Sequence, residues 1–239
     1  MILVCAATGT EAAACRRGIA DAEAPGIEVL TTGVGPERAA RALGRWLEAR
    51  PHGAGPPSDR RPALVVSAGF AGALTPDVAP MAWVTAASVH RLVGGRAVPS
   101  GLPRELLRVA DGAQPCHFVS ADHVVAGGVP GLAAPAAADM ESAALADVAG
   151  AAGIPFAVLR LVTDTPTHPL APVAHCLAGA LAAHGVRRRA AHAARAALAA
   201  ARSPAGALAF LRESMSWTDR LRAGWREHAS RGVPASPEG

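Results

Sequence analysis

Two neighbouring stretches decide the fold: Ala138-Asp139-Met140-Glu141-Ser142-Ala143-Ala144, and Gly153-Ile154-Pro155-Phe156-Ala157-Val158-Leu159-Arg160-Leu161-Val162-Thr163-Asp164. From Phe156 to Thr163 the second is almost wholly apolar, with Arg160 inside it. Such a run suits a strand buried on both faces, the kind found in a parallel sheet covered by helices. The alanine-rich segment before it predicts a helix over 140–152, stopped by Gly153 and Pro155.

The same alternation extends in both directions. Residues 2–6 and 27–31 read as strands. A helix follows each. The first is capped by Thr8 or Thr10 and runs through Glu11 to about Gly18. The second opens at Pro36 and places Ala39, Ala40, Leu43, Trp46 and Leu47 on one face. Residues 51–62 read as an exposed loop and 64–67 as a strand entering the glycine turn Gly69-Phe70-Ala71-Gly72. Strands are expected over 82–89 and 117–120, a loop over 91–104 and a helix over 106–110. The expected fold class is α/β: a three-layer, mostly parallel twisted sheet flanked by helices, with extra C-terminal helices. Ligands bind such sheets at the carboxyl ends of the strands. Glu11, Gly69-Phe70-Ala71-Gly72 and Asp164 all follow predicted strands, so they can converge on one edge.

Residues 171–202 read as helical, with a break at Ser203-Pro204. A second helix then carries an apolar stripe of Leu208, Leu211, Met215, Leu221 and Trp225, and 232–239 read as a frayed end. The expected organisation is one domain over 1–203 and a C-terminal amphipathic helix with its tail over 204–239.

Composition removes several chemistries. All 23 basic residues are Arg, and Tyr is absent. No lysine is available for a Walker-A loop or a Schiff base, and no Tyr can act as acid or base. The nine His and four Cys form no zinc-spaced cluster, so neither metal nor organic cofactor is expected. The opening Met1-Ile2-Leu3-Val4-Cys5 lacks a basic region and meets polar residues too soon for a signal peptide. With no long uncharged apolar run, a cytoplasmic protein with reduced thiols is expected. The net charge of +4 is concentrated in the C-terminal third, as at Arg187-Arg188-Arg189. It reads as a solvated helix face rather than a nucleic-acid surface. With Trp217 and Trp225 it permits weak contact with a membrane surface.

The two opening stretches closely resemble the D-M-E-[SA]-A … G-[VI]-P-F-x-x-[LI]-R-x-[IV]-[ST]-D pattern of the nucleoside phosphorylase/nucleosidase superfamily. Within it they look most like the hydrolytic branch: methylthioadenosine/S-adenosylhomocysteine nucleosidase, futalosine hydrolase and the hopanoid-associated nucleosidase. Val4 to Glu11, Val65 to Leu74 and Val119-Ser120-Ala121-Asp122 agree in order and spacing, so the resemblance covers roughly 1–185.

The resemblance implies cleavage of the N-glycosidic bond of a purine nucleoside, by hydrolysis of a 5′-modified adenosine-like substrate. Losing the base builds positive charge on the sugar, and the departing base needs a proton. By resemblance, Asp164 is the acid that protonates the purine and Glu11 orients and deprotonates the attacking water. Glu141 accepts the two ribose hydroxyls, with Met140 against the sugar. Gly69, Phe70, Ala71, Val124 and Val125 fall at substrate-binding positions. Purely structural alternatives exist for each acid: Asp164 as a helix N-cap, and Glu141 and Glu11 as helix-start residues favoured by the dipole. Phosphorylases of the superfamily carry Arg in the glycine turn, where this chain has Ser67-Ala68-Gly69-Phe70, which favours water over phosphate. Phe70, Val124 and Val125 depart from the nucleosidase pattern, leaving room for an apolar 5′ group. A homo-oligomer is expected from the superfamily. The alternatives are a phosphorylase and a non-catalytic nucleoside-binding protein of the same fold.

Overall fold

The computed structural model describes residues 1–50, 61–100, 106–125, 127–183 and 185–232. Strands β1 (Ile2–Ala6), β2 (Ile27–Thr31), β3 (Leu64–Ala73) and β9 (Phe156–Asp164) build the parallel heart of the sheet, in the order β2-β1-β3-β9. Register is continuous: Cys5 lies beside Ser67, and Ser67 beside Val158. The remaining strands are β4 (Trp83–Val93), β5 (Arg96–Pro99), β6 (Leu106–Leu107), β7 (Gln114–Ser120) and β8 (Ala136–Asp139). The end of β3 turns to pair with β8, which pairs with β7, then β4, then back to β9. The sheet therefore curls until these strands close a ring. A bulge in the β3–β9 pairing between Ala71 and Gly72 supplies local bending at this point.

Helix α1 (Gly9–Asp21) follows β1, and α2 (Pro36–Glu48) follows β2. Helix α3 (Ser142–Ala151) leads into β9, and α4 (Pro172–Ala182), α5 (Val186–Arg202) and α6 (Pro204–Ser230) follow it. Layers form because each sheet face has its own helices. Leu43, Trp46 and Leu47 of α2 join Leu145 and Ala149 of α3 with Leu3, Val65, Phe156 and Val158. On the other face Cys15 and Ile19 of α1 and Leu221 and Trp225 of α6 pack with Val4, Val66, Leu159 and Leu161. The expected α/β architecture with C-terminal helices is present. No helix among the described residues is long and apolar enough to cross a membrane.

Several local expectations are corrected. The glycine segment 69–72 is no turn: it lies within β3, because Gly69, at φ 134°, keeps the strand going past a side chain that fills the space beside it. Residues 91–93 extend β4, and β5 pairs back on it, where 91–104 was expected as loop; 101–105 lie outside the described residues. The expected helix at 106–110 is instead β6, whose two leucines pair with the start of β9. Strand β8, an Ala-Ala-Ala-Asp segment without β-branched residues, gives no sequence signal; pairing on both sides makes it a strand. Helix α3 starts at Ser142 rather than 140. Of the expected α6 stripe, Leu221 and Trp225 are fully buried, whereas Leu208, Leu211 and Met215 are exposed. Most of the 51–62 loop lies outside the described residues.

Candidate active site

Thr8 chooses the position of Glu11. Its hydroxyl caps α1 by accepting from the Glu11 amide at 3.2 Å, and the Glu11 carboxylate reaches back to accept from Thr8 N at 2.9 Å and Thr8 Oγ1 at 2.7 Å. This reciprocal capping box fixes the helix start. It also turns Glu11 Oε1 toward β3, where the Phe70 amide donates to it at 3.0 Å. The approach is so close that a Cβ on Gly69 would lie 2.2 Å from Glu11 Oε1. Glu11 is 4% exposed.

Glu141 ends the loop between β8 and α3 and is also 4% exposed. Its Oε1 accepts from Gly35 N at 2.9 Å, and its Oε2 from Arg160 Nη2 at 3.2 Å. Glu141 does stand at the start of α3, but its side chain makes no cap bond there and is turned to Gly35 and Arg160 instead. Arg160 of β9 is the hub beneath it. Its Nε lies 2.8 Å from Asp139 Oδ2, its Nη2 donates to Ser67 Oγ at 2.8 Å, and its Nη1 donates to the Phe70 carbonyl at 2.9 Å. Asp139 in turn accepts from the hydroxyls of Ser120 and Ser142. Two buried carboxylates thus share one guanidinium. Burial, joined by Asp139, pushes the Glu141 carboxyl up to about 7, against the pull of Arg160 and of the Gly35 bond.

Asp164 closes β9. Its Oδ1 accepts from Thr163 Oγ1 at 2.9 Å, while Oδ2 lies over Gly72, where a Cβ would sit 2.6 Å away. Burial raises its pKa above the ordinary carboxylate range, against the Thr163 bond and the nearby His175. Half-buried and pushed toward the protonated form, this carboxyl can donate a proton.

These groups meet in one cavity of about 930 Å³ at the carboxyl ends of β1, β3 and β9. Glu11, Met140, Glu141, Asp164, Phe70, Ala71, Val124 and Val125 all line it. Gly69 does not; it stands behind Glu11. Sequence reading did not select Arg160 or Gly35, although Arg160 was visible as a lone charge in an apolar strand. It also missed the far wall, where Leu170 before α4, Leu177 and Leu181 of α4, and Phe210 and Trp217 of α6 face the cavity. Trp217 packs edge-on against Phe70 at 6.2 Å and Phe210 at 5.9 Å, and Trp225 is fully buried. Trp225 is therefore withdrawn from the surface, while Trp217 is half-buried in the cavity wall. No group of three or more His, Cys, Asp or Glu side chains arranged to hold a metal ion occurs among the described residues.

Residues 125–203 match the family model described as the phosphorylase superfamily, a span that holds both opening stretches, Glu141 and Asp164. The match bears out the resemblance drawn from those residues. No curated protein matches the chain by sequence. Among solved structures, MTAN of Chlamydia trachomatis is 16% identical, with a TM-score of 0.49 over 95% of this chain and 93% of that one. A protein of Borrelia burgdorferi B31 described as a 5′-methylthioadenosine/S-adenosylhomocysteine nucleosidase and bound to adenine is 15% identical, with a TM-score of 0.50 over 71% and 88%. A futalosine hydrolase mutant of Helicobacter pylori is 13% identical, with a TM-score of 0.47 over 68% and 88%. At 15% identity the likeness to the Borrelia protein speaks for the fold alone.

Proposed function

We propose that this chain hydrolyses the N-glycosidic bond of a purine nucleoside, with an apolar group in place of the 5′ hydroxyl. The observation that carries the reading is the gathering of Glu11, Glu141 and Asp164, from three distant segments, around one cavity at the sheet edge. Glu141 uses one lone pair of each oxygen on Gly35 and Arg160, which leaves one on each oxygen for the two ribose hydroxyls. Glu11, oriented by three donors, takes a proton from a water that attacks C1′. The bond from C1′ to the base breaks as the C1′–O bond forms, and its electron pair leaves with the purine. Asp164 delivers the proton that neutralises the base.

Water is favoured over phosphate by charge. Arg160 is the one arginine that lines the cavity among the described residues, and its guanidinium is occupied by Asp139, Glu141, Ser67 and Phe70. Among the described residues no second arginine lines the cavity to offer a fork for a phosphate dianion. The apolar 5′ group is supported by the wall of Leu170, Ala174, Leu177, Leu181, Phe210 and Met215.

The test is mass spectrometry of products from a panel of adenosine and inosine derivatives, in buffers with and without phosphate. Free base and free sugar at equal rates in both buffers are expected. A sugar 1-phosphate would establish phosphorolysis instead, and tight binding without turnover across the panel would leave a nucleoside-binding protein.

A further inference from the structure

We propose that Arg38 is a positioning residue: it clamps the C-terminal end of α4 to the loop that holds Glu141, so that the apolar wall and the sugar-binding carboxylate are set as one unit. This rests on the nucleosidase reading. Arg38 lies in the first turn of α2, far from α4 in sequence. Its Nη1 donates to the Leu181 carbonyl and its Nη2 to the Ala183 carbonyl at 2.8 Å. These carbonyls sit at the end of α4, where a helix leaves its last acceptors unpaired and carries its negative pole. A planar guanidinium can serve two such acceptors at once, which an ammonium does less well.

The other side of the clamp is the Gly33-Val34-Gly35 turn. Arg38 Nη1 also donates to Val34 O at 3.2 Å, and its stem packs on Gly33, where a Cβ would lie 3.1 Å from Arg38 Cδ. Val34 lines the cavity, and the next residue, Gly35, donates to Glu141. One side chain thus spans the wall assigned to the 5′ group and the anchor assigned to the ribose.

Helix α4 needs such a tie. Ala174 is its one buried residue, and its start has no side-chain cap bond. The Ala183 carbonyl also accepts from Arg189 of α5 at 3.2 Å, so the joint secures the α4–α5 turn as well. Asp164 and Glu11 stand on other elements and do not depend on it.

Two measurements on R38M and R38K test the clamp. Hydrogen exchange of residues 172–183 needs no substrate, and R38M should exchange faster there than the wild type, with R38K between. Kinetics with adenosines bearing 5′-alkylthio chains of rising length should show KM falling by up to about fourfold per added methylene in the wild type. In R38M that dependence should flatten, KM for the longer chains should rise about tenfold, and kcat should stay within about threefold. Equal exchange in R38M and wild type, or an unchanged chain-length dependence of KM, overturns the clamp. Absence of turnover by the wild type would defeat the nucleosidase reading, and exchange would still decide whether Arg38 holds α4.

Discussion

At the floor of the cavity Asp139 and Glu141 lean on the single charge of Arg160. The raised Glu141 pKa has a consequence for stability. In the unfolded chain this carboxyl ionises near its ordinary 4.5, in the folded protein near 7. Below 4.5 both states hold the proton and nothing changes. Between those values the folded state binds more protons than the unfolded one, so stability falls as pH rises, and above about 7 the loss is complete. Thermal melts over pH 4–8 should therefore slope downward more steeply in the wild type than in E141Q; equal slopes would refute the assignment. The raised pKa of Asp164 acts on rate. An acid that must hold its proton fails once pH passes its pKa, so base release should drop on the alkaline side. D164N should lose about 100-fold or more in kcat at all pH values. These residues were legible in the sequence because D-M-E and T-D are short, contiguous patterns. Arg160's partners were not, since Ser67 and the Phe70 carbonyl lie on β3 and Asp139 on β8, strands that meet only in the folded sheet.

At the scale of elements, two glycines of β3 make room for two of the acids. Gly72→Ala places a methyl 2.6 Å from Asp164 Oδ2 at a backbone geometry that alanine accepts, so activity should fall with little change in melting temperature. Gly69→Ala meets Glu11 and a φ of 134° together, and should cost about 1–3 kcal/mol of stability as well as activity. Denaturant melts beside base-release assays separate the two cases. Strands β1 and β2 and helix α2 could be read from local pattern, and they fall at the expected residues. Strands β5, β6 and β8 could not, because each is short and is a strand only through its partners.

Across the whole molecule, the two halves of α6 have different surroundings. Its C-terminal half packs on α1, where Gly18 and Gly224 admit backbones and Trp83 at distances a Cβ would block. Trp225→Ala should destabilise by about 3–5 kcal/mol, while exposed Leu211→Ala should stay within about 0.5 kcal/mol, both read by urea titration. A sequence stripe cannot tell these halves apart, since periodicity gives the face of a helix but not how far its neighbour extends. The central claim concerns the convergence of distant acids on one reaction. It is tested most directly by the rate of free-base release in phosphate-free buffer from the best substrate, compared among wild type, E11Q and D164N. The account predicts ready release by the wild type and near loss in both variants, with all three proteins folded. Wild-type rates in folded E11Q or D164N would contradict it.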